Sequence, residues 1–487
     1  MNNNIPISRR SFVAIGVGVT CSNCSFNSTN KKSLNVIQAN ELPIPELLRG
    51  ESVNGKQQYN LTMQQGSMDF VIGKKTKTLG YNGNFLGPTL LMYKGENVEI
   101  NVHNELGEAS TTHWHGLHLP PEMDGGPLQK IEHGQSWLAS FLIKNEAATY
   151  WYHPHLLHKT GEQVYKGLAG LLIIKDTKNS VKLPEQYAVD DIPIIVQDRE
   201  FDDDGSLYYS GDKLGVKAEH ILVNGGIVPN FTAPAQLIRF RILNASNARI
   251  YNFGFSDQRQ FHQIATDGGL LENPVVLTRL KLSPGERAEI ILDLNQQENT
   301  QLSFMSFSSE MKNINPFWNK DAMDKNDFTV MTIKVVAATA QAITSLPEKL
   351  SDIHFLDETK VKETRILKMK MPMFGAMTIN GESMDMDRID IRVKLNTSEI
   401  WEIVNDTDLP HPFHIHAVQF QIIKRDGIKP AKNERGWKDV VLVAPGESVS
   451  FITHFSDYAN PTIPYMYHCH ILEHEDNGMM GQFVIDA

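Results

Sequence analysis

This chain of 487 residues has few cysteines, no excess of positive charge and no sustained helical pattern. Each of these deficits excludes a class of protein. The chain has only three cysteines, Cys21, Cys24 and Cys469, which are too few for a disulfide-stabilised scaffold. Its formal net charge of −11 argues against nucleic acid as the main partner, because binding to nucleic acid needs a positive surface. No window after residue 40 shows a sustained helical periodicity. The remaining composition is that of an ordinary globular protein.

The first 40 residues are typical of an export signal followed by a linker. Arg9 and Arg10 precede a short apolar run, residues 13–19, which is too short to span a bilayer. The paired arginines resemble a twin-arginine signal. We therefore predict export by the twin-arginine machinery to the periplasm. A lipid-anchored alternative, with Cys21 modified, fits the preceding Val19-Thr20 poorly.

A threefold repeat runs through the rest of the chain. Short alternating segments lead to Asn104, Asn244 and Asn405, each after an Asn-Gly pair and before a glycine turn. Short strands bounded by Gly, Pro and Asn are typical of β-sandwiches. We therefore predict an all-β protein with three β-sandwich domains, at residues 41–180, 181–345 and 346–487.

Histidine pairs mark the two outer domains. Nine residues after Asn104 and after Asn405 the chain has a His-x-His pair, whereas the same position in the middle domain has Phe253 and Phe255. The outer domains hold four such pairs, which are His113 and His115, His153 and His155, His414 and His416, and His468 and His470. The middle domain is therefore predicted to be a spacer that binds no metal.

The spacing of these residues predicts copper ligands. Residues i and i+2 on a strand face the same side, so each pair offers two imidazoles to one region. Eight imidazoles exceed the needs of one zinc ion, and imidazole suits copper. Cys469 points to the face opposite His468 and His470, so it should bind a different metal. His411, Cys469, His474 and Met479 together match the donor set of a blue-copper site.

The copper motifs resemble those of three-domain multicopper oxidases. The matching stretches are residues 113–116, 152–155, 411–416 and 468–474. The resemblance implies three cupredoxin-like Greek-key domains, four copper ions, oxidation of one-electron substrates and reduction of O2 to water. It implies the following ligands: His411, Cys469, His474 and Met479 for type 1 copper; His113 and His414 for type 2; His115, His153, His155, His416, His468 and His470 for the type 3 pair. It also implies that Glu475 and Asp124 deliver protons.

The resemblance is strongest to exported copper-efflux oxidases, which oxidise Cu(I) to Cu(II). Residues 42–48, 80–84 and 474–480 support it. Six methionines lie between positions 369 and 386, and soft thioethers select Cu(I). We take Met371, Met373, Asp406 and Asp408 as candidate substrate residues, with an extra labile Cu(I) as an open possibility. The long Met- and His-rich insertion of those oxidases is absent, so we expect a type 1 site that is open to bulky molecules.

Two alternatives to Cu(I) oxidation stay open at this point. One is a laccase-like oxidase of phenols or other organic substrates on the same scaffold. The other is a non-enzymatic relative that acts as a binding or division factor, and the complete ligand set argues against it. We expect the protein to be a monomer.

Overall fold

The structure is a computed structural model that describes residues 34–178, 181–311, 314, 316, 319–371 and 376–487. The predicted twin-arginine motif, Cys21, Cys24 and Met373 lie outside these residues. Val36 and Gln38, which the sequence places in the linker, form bridges to Val71 and Ile227. Contacts with the sandwiches therefore begin before residue 41. Within the described part of the chain, no helix is long and apolar enough to cross a membrane.

The first sandwich spans residues 47–175. Its strands and its one α-helix are β1 (Leu47–Arg49), β2 (Glu51–Val53), β3 (Lys56–Val71), β4 (Lys74–Tyr81), β5 (Thr89–Tyr93), β6 (Asn97–Glu105), β7 (His113–His115), β8 (Ser136–Leu142), β9 (Ala148–His153), α1 (Thr160–Tyr165) and β10 (Gly170–Lys175). One sheet has the order β1-β5-β10-β9-β7, and the other has β2-β3-β6-β8 with β4 paired to β3. A core around Trp114 and Tyr152 lies between them.

The second sandwich spans residues 191–336. Its elements are β11 (Asp191–Arg199), β12 (His220–Val223), β13 (Gly226–Ile227), β14 (Asn230–Pro234), β15 (Leu237–Asn244), β16 (Tyr251–Phe255), β17 (Phe261–Thr266), β18 (Gly269–Leu277), β19 (Leu280–Leu282), β20 (Arg287–Asp293), β21 (Gln301–Ser306), α2 (Ala322–Lys325) and β22 (Phe328–Val336). The sheet orders are β13-β12-β11-β15-β20-β17-β18 and β14-β22-β21-β16-β19. Phe253 and Phe255, the counterparts of the histidine pairs, are buried in its core.

The third sandwich spans residues 363–486. Its elements are β23 (Glu363–Lys370), β24 (Thr378–Ile379), β25 (Ile391–Lys394), β26 (Thr397–Asn405), β27 (His411–Ile415), β28 (Phe420–Arg425), β29 (Val440–Val443), β30 (Ser448–Phe455), β31 (Asn460–Cys469), α3 (Leu472–Asp476) and β32 (Met480–Asp486). The sheet orders are β24-β23-β26-β30-β28 and β25-β32-β31-β27-β29. Short 3-10 turns elsewhere cover Pro121–Met123, Ser308–Glu310, Glu358–Lys360 and Lys432–Glu434.

The three repeat asparagines perform the same structural task in each sandwich. Each is buried, and its side-chain amide donates to two backbone carbonyls, which ties the strand end to the loop beyond it. The acceptors are Glu108 and Ile131 for Asn104 (2.9 and 2.8 Å), Arg249 and Leu282 for Asn244 (2.8 and 3.0 Å), and Leu409 and Val443 for Asn405 (2.7 and 3.0 Å). The repeat found in the sequence is thus a repeat of hydrogen bonds.

Replacing one of these asparagines should destabilise its own sandwich and leave the metal centres intact. For Asn244→Ala we expect a loss of about 2 kcal/mol, because two buried carbonyls lose their donor. Scanning calorimetry of the apoprotein measures it. The control is Asn273→Ala, an exposed asparagine of the same sandwich with one backbone contact. Equal effects of the two variants would contradict the assigned role.

Candidate metal centres

The paired strands of the outer sandwiches bring the histidine motifs together. β7 pairs antiparallel with β9, so His113 lies opposite His153. β27 pairs in the same way with β31, so His414 lies opposite His468. All eight paired histidines are at most 1% exposed. Each outer sandwich therefore presents four buried imidazoles from an equivalent place in its fold.

These two sets of imidazoles form one cluster between the first and third sandwiches. The ring of His115 stacks on His414 with centroids 3.8 Å apart, and that of His113 stacks on His416 at 3.9 Å. The donor atoms form three groups that could each hold a metal ion, and the first two share His115: His113, His115 and His414; His115, His153 and His470; His155, His416 and His468. The structure thus gathers all eight predicted residues of the trinuclear site.

The hydrogen bonds of the cluster leave bare ring nitrogens aimed at its centre. Nδ1 of His113 and Nδ1 of His414 lie 2.8 and 2.7 Å from the backbone carbonyls of Asp124 and Asp439. Only an N–H can donate to a carbonyl, so Nδ1 carries the hydrogen and Nε2 of each neutral ring carries none. Both Nε2 atoms are buried without a partner. Such orphaned lone pairs are costly unless a cation binds them, so the residues fit a metal cluster.

Burial keeps these imidazoles neutral, as ligands must be. Desolvation lowers the pKa of His113, His414 and His416 well below the ordinary value, and neighbouring imidazoles lower it further. A neutral imidazole offers its lone pair to a metal, whereas a protonated one does not. The lowered pKa of these three imidazoles therefore favours the form that binds a metal.

Two predicted proton-delivery acids lie against the cluster. Oδ2 of Asp124 accepts from Nδ1 of His416 at 2.7 Å, and burial raises the pKa of this carboxyl well above its ordinary value. Glu475 lies with Oε2 3.1 Å from Nδ1 of His468 and with Oε1 3.4 Å from Nδ1 of His155. Burial would raise the pKa of Glu475, but these two imidazoles lower it below its ordinary value.

A separate group lies on the other side of the Cys469 strand. Nδ1 of His411 is 3.4 Å from Sγ of Cys469 and 3.1 Å from Nδ1 of His474, which is 3.5 Å from the same sulfur. Met479 is fully buried in the same core, and its carbonyl accepts from the Cys469 backbone at 3.0 Å. As predicted from strand alternation, Cys469 belongs to a different group from its neighbours His468 and His470, which both lie in the histidine cluster.

The two imidazoles of this group are closed off from solvent, so the expected open site is wrong. His411 and His474 are 0% exposed. A segment of the middle domain, residues 201–216, covers helix α3, and we call it the covering segment. Tyr209 Oη and the Val216 backbone donate to Glu473 at 3.0 and 3.1 Å. The Leu214 backbone also faces the His474 ring and offsets part of the lowering of its pKa by burial.

Two of the candidate substrate residues, Asp406 and Asp408, lie beside this group. Thr407 Oγ1 is 2.8 Å from Nε2 of His411, and the exposed Asp406 and Asp408 flank that threonine. Met371 is half-buried and packs against the core of the third sandwich. The structure therefore brings both aspartates close to His411. Met384 was not singled out, yet its backbone donates to the Gly478 carbonyl at 3.0 Å, directly before Met479.

Two buried charged residues of the site were missed from the sequence. Asp439 lies with Oδ1 3.0 Å from Nε2 of His115, and Arg287 forms an ion pair with Asp439 at 2.5 Å. One available signal was the charged pair of Lys438 and Asp439 directly before the apolar strand β29. A charge at the entry to a fully buried strand needs a partner, and that partner is in another domain.

Comparison with known proteins decides the family. Multicopper oxidase family models match residues 62–179, 203–322 and 357–487. The chain belongs to the multicopper oxidase family. It is 40% identical over 464 residues to multicopper oxidase mco of Staphylococcus haemolyticus, which covers 93% of this chain and 95% of the relative.

Two further similarities concern structure and function. A solved laccase-like multicopper oxidase, CueO from Ochrobactrum sp., matches with a TM-score of 0.83 at 35% identity, over 91% of this chain and 100% of that one. Cell division protein FtsP of Photorhabdus laumondii is 34% identical over 451 residues, 92% of each chain. The predicted fold, three cupredoxin-like Greek-key sandwiches, is confirmed.

The predicted enzyme class, a multicopper oxidase, is confirmed. Copper ions are its cofactors, and O2 and a reducing substrate are its reactants. The buried histidine groups give these ions a place in the structure.

Proposed function

We propose that this multicopper oxidase oxidises Cu(I) to Cu(II) and so protects against copper. When bound, the copper ions supply the one-electron oxidation and the four-electron reduction of O2 to water. The observation that carries the proposal is the complete burial of His411 and His474, with the covering segment packed on the helix that bears His474. A closed site of this kind favours a small metal ion at its edge over a bulky organic molecule.

The proposed cofactor set is four copper ions. Their proposed ligands are His411, Cys469, His474 and Met479 for type 1; His113 and His414 for type 2; His115, His153, His155, His416, His468 and His470 for the type 3 pair. The orphaned Nε2 atoms of His113 and His414 support the type 2 assignment. Two histidines, one cysteine and an axial methionine suit an electron-transfer copper.

The chain itself joins the two centres. Cys469 belongs to the type 1 group, and its chain neighbours His468 and His470 belong to the trinuclear group. Electrons therefore have a covalent path from the cysteine sulfur through the backbone to both imidazoles. No mobile carrier is needed between the two centres.

We assign proton delivery to Glu475 and Asp124. Oδ1 of Asp124 is buried without a hydrogen-bond partner, so it has free capacity for water or a proton. Both Glu475 oxygens are buried and face only the imidazoles of His155 and His468. Each acid also fixes an imidazole, since Glu475 lies beside His468 and Asp124 accepts from His416. A carboxylate placed in this way can pass a proton to a reduced oxygen and still orient a ligand.

For Cu(I) capture we propose the edge formed by the methionines and aspartates near His411. Asp406 and Asp408 flank Thr407, whose Oγ1 lies 2.8 Å from Nε2 of His411. The Asp406 backbone donates to the carbonyl of Met369, two residues before Met371, and the Met384 backbone donates to the carbonyl of Gly478. Thioether sulfur selects Cu(I), and the exposed carboxylates attract the cation. Met373 belongs to the same proposal from its sequence position alone, and an extra labile Cu(I) would bind here.

Oxygen uptake with each substrate class tests the function. The copper-loaded enzyme is given Cu(I) as an acetonitrile complex, or 2,6-dimethoxyphenol without added copper. We expect kcat/KM for Cu(I) to exceed that for the phenol by at least tenfold, and Met371→Leu with Met384→Leu to lower only the Cu(I) value. Faster phenol oxidation without added copper would overturn the assignment.

Shortening the covering segment should change this selectivity. Replacing residues 203–212 by Gly-Gly removes Tyr209 and its contact with Glu473, which uncovers helix α3. We expect kcat/KM for the phenol to rise by about tenfold, a gain of about 1.4 kcal/mol in transition-state binding, while Cu(I) oxidation changes little. Steady-state kinetics measures both. Tyr209→Phe, which keeps the ring and the segment, is the control, and equal phenol rates in all three proteins would contradict the role of the cover.

A laccase-like oxidation of phenols is the second candidate function. The observation that favours it is the similarity to the Ochrobactrum CueO, which is described as active towards lignin model compounds. The burial of His474 argues for the first candidate, because a phenol must approach this ring to give up an electron.

We further propose that the enzyme is an exported, periplasmic monomer with domains at residues 41–180, 181–345 and 346–487. The twin-arginine motif and the following apolar run support export. The three pairs of sheets support the division into domains.

A further inference from the structure

One turn of the middle domain reaches the histidine cluster. Gly285, in the turn before β20, has a φ of +83°, and a Cβ at this position would lie 2.9 Å from Cγ of His470. Only glycine permits both the backbone conformation and this close approach. The turn therefore packs directly against a proposed type 3 ligand. The middle domain is more than the spacer that the sequence predicts.

Arg287, two residues later, places its guanidinium group in the same region. Its Nη1 and Nη2 donate to Oδ1 and Oδ2 of Asp439 at 2.5 and 2.6 Å, and both residues are fully buried. Its Nε donates to the Thr149 carbonyl of the first sandwich at 3.1 Å. A planar fork that holds both carboxylate oxygens fixes the orientation of Asp439 in a way that lysine cannot copy.

Asp439 in turn sets the orientation of His115. Its Oδ1 lies 3.0 Å from Nε2 of this ring, so Nε2 carries the hydrogen and Nδ1 is bare. That Nδ1 lies 3.4 Å from Nε2 of His153 and 3.3 Å from Nε2 of His470. His113 and His414 are held in the opposite sense, with Nδ1 donating. His115 therefore depends on a carboxylate, where those two rings depend on backbone carbonyls.

The carboxylate is embedded in a buried ionic network from two domains. Asp267 accepts from the Arg287 backbone at 2.8 Å, and Lys438 pairs with Asp267 and Glu286 at 2.8 and 3.0 Å. All five charged groups are less than 10% exposed. Because water cannot replace a lost partner here, a substitution of Arg287 changes the orientation of Asp439 directly.

We propose that Arg287 is a positioning residue for the trinuclear centre. It holds Asp439, which keeps His115 in the tautomer that turns Nδ1 toward His153 and His470. The inference rests on the proposed ligand set, to which these three histidines belong, and their donor atoms form one group that could hold a metal ion. The middle domain thereby supplies an essential part of a centre for which it offers no ligand.

The test compares copper retention in Arg287→Lys and Arg287→Met with the wild-type holoenzyme. We expect a chelator to remove trinuclear copper about 10- to 100-fold faster from either variant, as is typical when the partner of a ligand is lost. The type 3 pair, silent in EPR when intact, should become partly visible. The type 1 absorption should stay unchanged, which serves as the internal control.

Arg249→Lys is the matched control. Arg249 is also fully buried in the middle domain and pairs with Asp198 and Asp324, but it contacts no proposed ligand. We expect wild-type copper retention and a wild-type EPR spectrum from this variant. Faster trinuclear loss here, or equal loss of type 1 and trinuclear copper in the Arg287 variants, would show a general destabilisation and overturn the proposal.

A double-mutant cycle with Asp439→Asn keeps the proposal falsifiable if Arg287→Met does not fold. Because Arg287 acts through Asp439, Arg287→Lys should add little to the effect of Asp439→Asn on the chelation rate. Additive effects would overturn the proposal. Wild-type protein that binds no trinuclear copper would instead refute the proposed function, so the two failures are distinguishable.

Discussion

Cys469→Ser should abolish the intense visible absorption of the protein and lower O2 uptake with any reductant by at least about 100-fold. Loss of a ligand itself should lower activity at least as much as loss of a ligand's hydrogen-bond partner, which typically costs about 10- to 100-fold. Cys469 is the only free cysteine in the described part of the chain, and its sulfur lies within 3.5 Å of a ring nitrogen of both His411 and His474. Serine keeps the size of the side chain but offers no soft thiolate to copper. Absorption spectroscopy and oxygen uptake measure the two effects.

The variant should keep its other copper ions. The trinuclear group is built by His468 and His470 on the opposite face of the strand, and serine does not change the course of that strand. Metal analysis should therefore find three copper ions per chain in the variant and four in the wild type. Loss of all copper would contradict the separation into two centres, and retained blue absorption would contradict the assignment of Cys469.

Glu475→Gln should lower the rate of O2 reduction by about 100-fold, because a positioned acid or base contributes roughly that much or more. Glutamine has the same shape but cannot carry the proton. The substitution also removes the negative charge that lies beside His155 and His468. Reduction of the type 1 copper by substrate should continue at the normal rate. Stopped-flow spectroscopy separates this step, followed without O2, from reoxidation after O2 is added.

Glu473→Gln is the control for this prediction. Glu473 lies on the same helix, α3, and is 1% exposed, but its carboxylate accepts from Tyr209, Asn247 and the Val216 backbone rather than facing the cluster. We expect reoxidation at nearly the wild-type rate. Equal slowing in both variants would mean that the helix, and not the proton of Glu475, controls the step.

Much of the site was predictable because its ligands follow the period of the strands. The i and i+2 spacing of His468 and His470 predicts one shared face, and Cys469 between them predicts the opposite face. The asparagine repeat predicts where each sandwich ends its strand, and Asn104, Asn244 and Asn405 form matching hydrogen bonds. Local patterns of this kind predict both the fold and the set of ligands.

The remaining features depend on contacts between segments far apart in the chain. Arg287 meets Asp439 across 152 positions, and no local pattern in the sequence links them. The covering segment likewise reaches Glu473 through Tyr209, 264 residues away. The missing insertion suggested an open type 1 site, but an acidic segment of the middle domain covers it. Only packing between domains shows which residues close the site and support its ligands.

The stoichiometry of Cu(I) oxidation tests the central claim most directly. The copper-loaded enzyme is mixed with a limited amount of O2 and excess Cu(I), while Cu(II) and hydrogen peroxide are measured together, with Cys469→Ser as the blank for uncatalysed oxidation. The account predicts that four Cu(I) ions are oxidised for each O2, with no peroxide released. Two Cu(I) ions for each O2, with peroxide accumulating, would contradict it.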